Sequence, residues 1–87
     1  MFYPYCVIND SIEVVHTPLT KDGKTMVHFE EPEEIVGFKT SDCMIPSYQV
    51  SNIIGFNQEE INFLVHFCKC NAHLLLEYAG KGGIANA

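Results

Sequence analysis

The chain has 87 residues, of which 47% are hydrophobic and 11% are aromatic, and its formal net charge is −6. This length predicts a single small domain over residues 1–87, and the hydrophobic content is too high for a disordered segment. The five basic residues are lysines scattered along the chain, so they form no basic stripe. We therefore expect neither direct nucleic-acid binding nor attachment to an anionic membrane surface.

The first part of the chain has the composition of two β-strands. Residues 2–8 are rich in aromatic and β-branched side chains, which predicts a strand. Pro4 places this strand at a sheet edge, because proline cannot donate to a ladder. Asn9-Asp10 predicts a turn, and the apolar run over residues 12–19 predicts a second strand.

The dipeptide Asp22-Gly23 predicts a β-hairpin. Asp-Gly between two β-type runs favours a two-residue turn, because both positions tolerate positive φ. In that register the third strand covers residues 25–30 and Thr17 lies opposite His28. We also expect His16 and His28 to lie near each other across this hairpin, where they could bind a metal or respond to pH.

The middle of the chain is less regular. Residues 30–34 place four glutamates around a proline, which predicts an exposed loop. Residues 36–45 predict a fourth strand that ends at Pro46. Residues 47–54 fit either a short strand or an irregular loop, and the sequence does not choose between them.

A long C-terminal helix over about residues 58–79 is the strongest pattern in the sequence. Asn57 is a suitable N-cap, and Glu60 three positions later completes a capping box. Gly80, followed by Gly82-Gly83, is expected to stop the helix, and residues 80–87 are expected to form a flexible tail. Together the elements predict an α+β fold, with this helix on one face of an antiparallel sheet of about four strands.

The predicted helix has two apolar stripes. The first is broad and suits burial against a sheet; its members are Ile61, Leu64, Val65, Cys68, Ala72, Leu75, Leu76 and Ala79. The second lies beside it and consists of Phe63, Phe67, Cys70, Leu74 and Tyr78. One sheet face cannot cover both stripes, so the second needs either the aromatic N-terminal segment or another chain as a cover.

This second stripe predicts a small, non-enzymatic interaction or regulatory module. We expect it to bind another copy of the chain as a homodimer, or another protein, through Phe63, Phe67, Cys70, Leu74 and Tyr78. No local motif supports catalysis. A Cys–His pair such as Cys43 with His28 would also need an oxyanion hole, so no catalytic residue is assigned.

Two alternative functions stay open. His66, Cys70 and His73 occupy positions i, i+4 and i+7 of the helix, and imidazole and thiolate are zinc ligands. A zinc site is therefore one alternative. The competing interpretation is that both histidines are solvated surface residues and that Cys70 is a small apolar residue that fills space. The other is an acidic inhibitor that docks on a basic nucleic-acid-binding protein through residues 30–34.

The expected location is the cytoplasm. The first six residues have no charged segment of the kind that begins a signal peptide. The most apolar helical stretch is interrupted by charged and polar residues, which argues against a membrane span. The four cysteines, Cys6, Cys43, Cys68 and Cys70, show no disulfide-framework spacing, so we expect reduced thiols.

Overall fold

The computed structural model of the chain describes residues 1–35 and 37–82. These residues form a five-stranded antiparallel sheet and one helix, so the fold is α+β as predicted. The elements are β1 (Tyr3–Ile8), β2 (Ile12–His16), β3 (Thr25–Glu33), β4 (Gly37–Ile45), β5 (Gln49–Ile54) and α1 (Gln58–Lys81). The sheet exceeds the predicted four strands because the ambiguous segment over residues 47–54 contains β5.

The strands form a meander in which each strand pairs with its neighbours in the chain. Antiparallel pairing places the β1–β2 turn, the β3–β4 turn and the start of α1 at one end of the molecule. The β2–β3 loop and the end of α1 lie at the other end, where the Leu19 backbone N–H donates to the Ala79 carbonyl at 3.1 Å. The predicted turn at Asn9-Asp10 is confirmed, with φ angles of 51° and 61°.

The β2–β3 hairpin has a register different from the predicted one. β2 ends at His16, and Val15 rather than Thr17 lies opposite His28. Pro18 explains the early end of β2, because proline has no backbone N–H to donate to a ladder. The predicted second strand over residues 12–19 is therefore too long by three residues.

The chain turns at Asp22-Gly23, as predicted, but the turn is longer than two residues. The Thr20 backbone N–H donates to the Lys24 carbonyl at 2.8 Å, so three residues lie between the paired positions. Gly23 has a φ of 78°, in the left-handed region that glycine adopts without strain. A type I turn followed by a left-handed glycine is the usual three-residue hairpin connection.

Most of the acidic segment over residues 30–34 lies in a strand rather than in the predicted loop, and only Glu34 lies in the turn that follows. β3 continues through Glu33, and Pro32 pairs with β4. The proline is tolerated because alternate residues of β3 direct their backbone groups toward β2, as the Met26 carbonyl does when it accepts from the Thr17 N–H. Pairing with β2 has already ended at Glu30, so the missing N–H interrupts no ladder bond there.

β4 and β5 form the other edge of the sheet. β4 ends at Ile45, before a cis peptide bond to Pro46, which matches the predicted end. The pairing of β4 with β5 shifts register between Thr40 and Asp42, and Asn52 of β5 has a φ of 53°. Beside this bulge the Asn52 side chain reaches Asp42, on the sheet face that α1 does not cover.

The helix packs on one face of the sheet and forms the core with it. The first apolar stripe supplies the helix side of this core, which includes Ile61, Leu64, Cys68, Leu75 and Ala79. The sheet side includes Val14, Val27, Phe29, Cys43 and Ile45. Each fully buried aliphatic side chain contributes about 1.5–3 kcal/mol, so this stripe accounts for the attachment of α1 to the sheet.

The predicted capping box at the start of α1 is confirmed. The Asn57 side-chain oxygen accepts from the Glu60 backbone N–H at 2.9 Å, and the Asn57 backbone N–H donates to the Glu60 carboxylate at 2.9 Å. These two bonds satisfy backbone groups that the first turn of a helix leaves unpaired.

The end of α1 lies beyond the predicted position. Gly80 remains helical, and Gly82 forms the C-cap with a φ of 84°, donating its backbone N–H to the Tyr78 carbonyl. The helix ends where a glycine takes the left-handed conformation rather than at the first glycine. Residues 80–82 of the predicted flexible tail thus belong to the helix and its cap, and residues 83–87 lie outside the described residues.

Candidate interaction surface on the C-terminal helix

The second apolar stripe of α1 lies partly against the rest of the chain, where Phe29 of β3 and Tyr5 of β1 cover some of it. The Phe67 ring centroid lies 6.0 Å from that of the buried Phe29. The Tyr5 ring centroid lies 6.2 Å from those of Phe67 and Tyr78. The Tyr5 hydroxyl donates to the Asn71 side-chain oxygen at 2.8 Å. Burial, followed by the charges of Cys6 and Tyr78, raises the pKa of Tyr5, so this hydroxyl stays a donor at neutral pH. The chain's own first strand therefore covers two of the five stripe residues.

The other three stripe residues remain accessible. Phe63 is 46% exposed, Leu74 is 41% exposed, and Cys70 is also exposed. These positions lie nearly opposite the buried stripe on a helix of 3.6 residues per turn. We call Phe63, Cys70 and Leu74 the outer ridge. The ridge is what remains of the predicted contact surface after Tyr5 is in place.

Two of the three predicted metal ligands lie close together on the same side of α1. The His66 Nε2 atom is 3.4 Å from the Cys70 Sγ atom, and both side chains are exposed. Across residues 1–35 and 37–82, no three His, Cys, Asp or Glu side chains are arranged to hold one ion. The structure thus brings His66 and Cys70 together without placing His73 in a common group with them.

The two cysteines of α1 have opposite environments. Cys68 is buried against Cys43 of β4, whereas Cys70 is exposed, as expected for positions two apart on a helix. The hydrogen bond with the Cys43 thiol and the burial raise the pKa of Cys68 far above its ordinary value. All four cysteines, Cys6 included, are free.

The sheet face that α1 does not cover carries a chain of polar side chains across three strands. The His28 Nδ1 atom lies 2.5 Å from one carboxylate oxygen of Asp42, and its Nε2 atom lies 3.3 Å from Glu30. The second Asp42 oxygen accepts from the Asn52 side-chain amide at 2.8 Å. His28 and Glu30 could have been grouped from the sequence, because residues two apart on a strand share a face. Asp42 and Asn52 are brought to the same place by the pairing of β3 with β4 and of β4 with β5, which the sequence does not reveal.

The carboxylates on either side of His28 determine its charge. Burial, the largest single influence, lowers the pKa of His28, but the hydrogen bonds and charges of Asp42 and Glu30 outweigh it. The pKa of His28 is therefore raised, because the two carboxylates stabilise the protonated form of the imidazole. This arrangement serves as a structural ion cluster.

His16 does not lie near His28, so that prediction is wrong. His16 pairs with Val27 and is buried on the helix-facing side, whereas the His28 chain lies on the uncovered face. The His16 Nδ1 atom is 3.0 Å from the Thr17 carbonyl, and its Nε2 atom has no hydrogen-bond partner among the described residues. Cys43 is also on the helix-facing side, which separates it from His28.

Most of the acidic residues lie at the end of the molecule where α1 begins. They are Asp10, Glu13, Glu30, Glu31, Glu33, Glu34, Glu59 and Glu60. Lys39 joins β3 to the helix start there, with its Nζ atom 3.2 Å from Glu31 and 2.7 Å from Glu60. The hydrogen bond with Glu60 is the largest influence that raises the pKa of Lys39. A cleft of about 440 Å³, lined by Phe63 among others, opens at this end.

No protein-family model matches the chain, and no curated protein or solved structure matches it either. In the part of the chain that the structure describes, α1 falls short of the apolar length needed to cross a membrane. Function is therefore inferred from the geometry of the described residues.

Proposed function

We propose that this protein is a small, non-enzymatic interaction module that forms a homodimer through the outer ridge of α1. The observation that carries the proposal is the exposure of Phe63 and Leu74, at 46% and 41%, on a helix whose other apolar stripe is buried. Exposed apolar side chains on one side of a helix are typical of a protein-interaction site. Cytoplasmic location, predicted from the sequence, is part of the same proposal.

The spacing of the ridge favours antiparallel pairing of two helices. Phe63 and Leu74 are symmetric about positions 68–69, close to the middle of α1 (Gln58–Lys81). A two-fold axis beside this point sets Phe63 of one copy against Leu74 of the other, twice over. Each exposed side chain then meets another, and both leave water.

The charges of α1 agree with this orientation. The first turn contains Glu59 and Glu60, and the last turn contains Lys81. Antiparallel pairing brings the acidic first turn of each copy toward the last turn of the other and holds the two acidic ends of the molecule apart. Parallel pairing would place the two acidic ends side by side, which repulsion between like charges opposes.

Light scattering coupled to gel filtration tests the proposal. We expect a dimer for the unaltered chain and a monomer for Phe63→Glu and for Leu74→Glu, because each substitution buries a carboxylate in the contact. Ile35→Glu is the matched control, since Ile35 is 89% exposed in the β3–β4 turn and lies off the ridge. Circular dichroism melts show whether each variant is folded. A folded ridge variant that stays dimeric contradicts the proposal.

A second candidate is docking on a basic protein, such as one that binds nucleic acid. It is favoured by the eight acidic residues gathered at one end of the molecule, beside the cleft that Phe63 and Glu59 line. Exposed charge pairs are screened by salt, so such binding should weaken steeply as the ionic strength rises. Affinity capture with the wild type and with Glu31→Gln/Glu59→Gln tests it. A partner retained equally by both proteins, or retained in high salt, excludes this candidate.

A further inference from the structure

His66 and Cys70 bring two potential metal-ligand atoms together on the outward side of α1. Zinc bonds are about 2.3 Å to sulfur and about 2.0–2.1 Å to histidine nitrogen, with tetrahedral geometry. Those values separate a sulfur and a nitrogen on one zinc by about 3.5 Å. The observed separation of 3.4 Å between His66 Nε2 and Cys70 Sγ is close to this value.

This pair of side chains coincides with the centre of the proposed helix pairing. The midpoint of His66 and Cys70 is position 68, and that of Phe63 and Leu74 lies between positions 68 and 69. The same two-fold axis that sets Phe63 against Leu74 therefore sets His66 of one copy opposite Cys70 of the other. The His66 and Cys70 side chains of both copies then lie together at the axis, where two sulfur atoms and two nitrogen atoms can bind one metal ion.

We propose that the homodimer binds one zinc ion between the two copies of α1, through His66 and Cys70 of each copy. This inference rests on the proposed homodimer and adds a ligand to it. The set of two cysteines and two histidines is one of the usual four-coordinate structural zinc sites. Binding converts both Cys70 thiols to thiolates and releases two protons to solvent. His73 takes no part, which distinguishes this site from a three-ligand site within one chain.

The site gives a role to the polar residue beside the outer ridge. His66 is exposed and lies between Phe63 and Leu74 in the chain, where an unpaired imidazole would weaken a purely hydrophobic contact. In a metal-bound dimer His66 and the ridge residue Cys70 become ligands. Zinc then stabilises the dimer over the monomer, because only the dimer supplies four ligands to one ion.

Titration of the reduced, full-length chain with Co²⁺ as a spectroscopic substitute for zinc tests the proposal. We expect tetrahedral visible bands and a thiolate charge-transfer band that saturate at one metal per two chains. The control variant His73→Gln should bind as the wild type does, and so should Cys6→Ser. His66→Gln and Cys70→Ser should each lose more than about 10-fold in affinity, since even loss of an outer-shell partner costs about 10- to 100-fold.

Sedimentation with and without zinc separates the two proposals. A dimer that forms without zinc, binds no Co²⁺ and does not tighten with zinc contradicts the metal site and leaves the proposed function intact. A chain that is monomeric in both conditions contradicts the proposed homodimer and this inference together. Saturation at one metal per chain, lost in His73→Gln, also overturns the inference, because it places the ion within one helix. All variants are compared by circular dichroism, so that unfolding is not mistaken for loss of a ligand.

Discussion

Both sides of α1 carry apolar side chains, but their surroundings are opposite. The sheet-facing side places Leu64, Cys68 and Leu75 in a dry core against three strands. On the outward side Phe63, Cys70 and Leu74 remain accessible. Apolar content alone therefore does not decide burial in a chain of 87 residues; the available cover does. We expect the first side to determine stability and the second to determine association.

Neighbouring leucines provide the largest expected contrast. Leu75 is fully buried and Leu74 is 41% exposed, although they are adjacent in the chain. We expect Leu75→Ala to lower the free energy of unfolding by about 3 kcal/mol, because it leaves a cavity in the core. Leu74→Ala should lower it by about 0.5 kcal/mol when the chain is dilute enough to be monomeric. Urea denaturation at low protein concentration measures both changes in unfolding free energy. Equal changes for the two variants would contradict the difference that we assign to the two sides of α1.

The cysteine pair repeats this contrast with a smaller change. Cys68→Ser places a hydroxyl in the core beside Cys43, which should cost about 1–3 kcal/mol of unfolding free energy. Cys70→Ser changes an exposed side chain and should stay within about 0.5 kcal/mol of the wild type. The comparison is made in metal-free buffer with a reductant, so that Cys70 has no ligand role. A large loss for Cys70→Ser there would mean that the outward side also supports the fold.

A substitution at the start of α1 tests whether the capping bonds or the buried apolar side chains contribute more to the stability of the helix on the sheet. Asn57→Ala removes the side-chain acceptor for the Glu60 N–H and should cost about 1 kcal/mol. This is less than the loss expected for Leu75→Ala, because burial rather than capping holds α1 on the sheet. Thermal unfolding followed by circular dichroism gives both values, and the reverse order would contradict this account.

The uncovered sheet face should make a smaller, pH-dependent contribution. The pKa of His28 is raised in the folded chain, so its pairing with Asp42 and Glu30 stabilises the fold fully below the ordinary histidine value of 6.5. That contribution is lost as the pH rises through the folded pKa. The difference in unfolding free energy between the wild type and His28→Gln should therefore shrink from pH 6 to pH 8.5. A difference that grows with pH would contradict the assigned cluster.

Local signals predicted the helix and most of the strands. The Asn57 capping box, the Asn9-Asp10 turn and the apolar periodicity of α1 act over a few residues, and the structure has all three. The end of α1 was misplaced because Gly80 and Gly82 are equally good signals, and only one of them leaves the helical conformation.

Features that depend on register could not be predicted in the same way. Pro18 shortened β2 and moved the pairing, which separated His16 from His28 onto opposite faces. The cluster of His28 with Asp42 and Asn52 arises from two further strand pairings and a bulge. Coverage of Phe67 and Tyr78 by Tyr5 likewise joins the first strand to the last helix. Each of these contacts links residues far apart in the chain, where periodicity carries no information.

Sedimentation equilibrium of the unaltered chain tests the central claim most directly. The account predicts a mass that rises with concentration toward twice the 9.8 kDa of one chain. It also predicts a mass of 9.8 kDa for Phe63→Glu/Leu74→Glu at every concentration at which that variant is folded. A wild-type mass of 9.8 kDa throughout, with and without zinc, would contradict it.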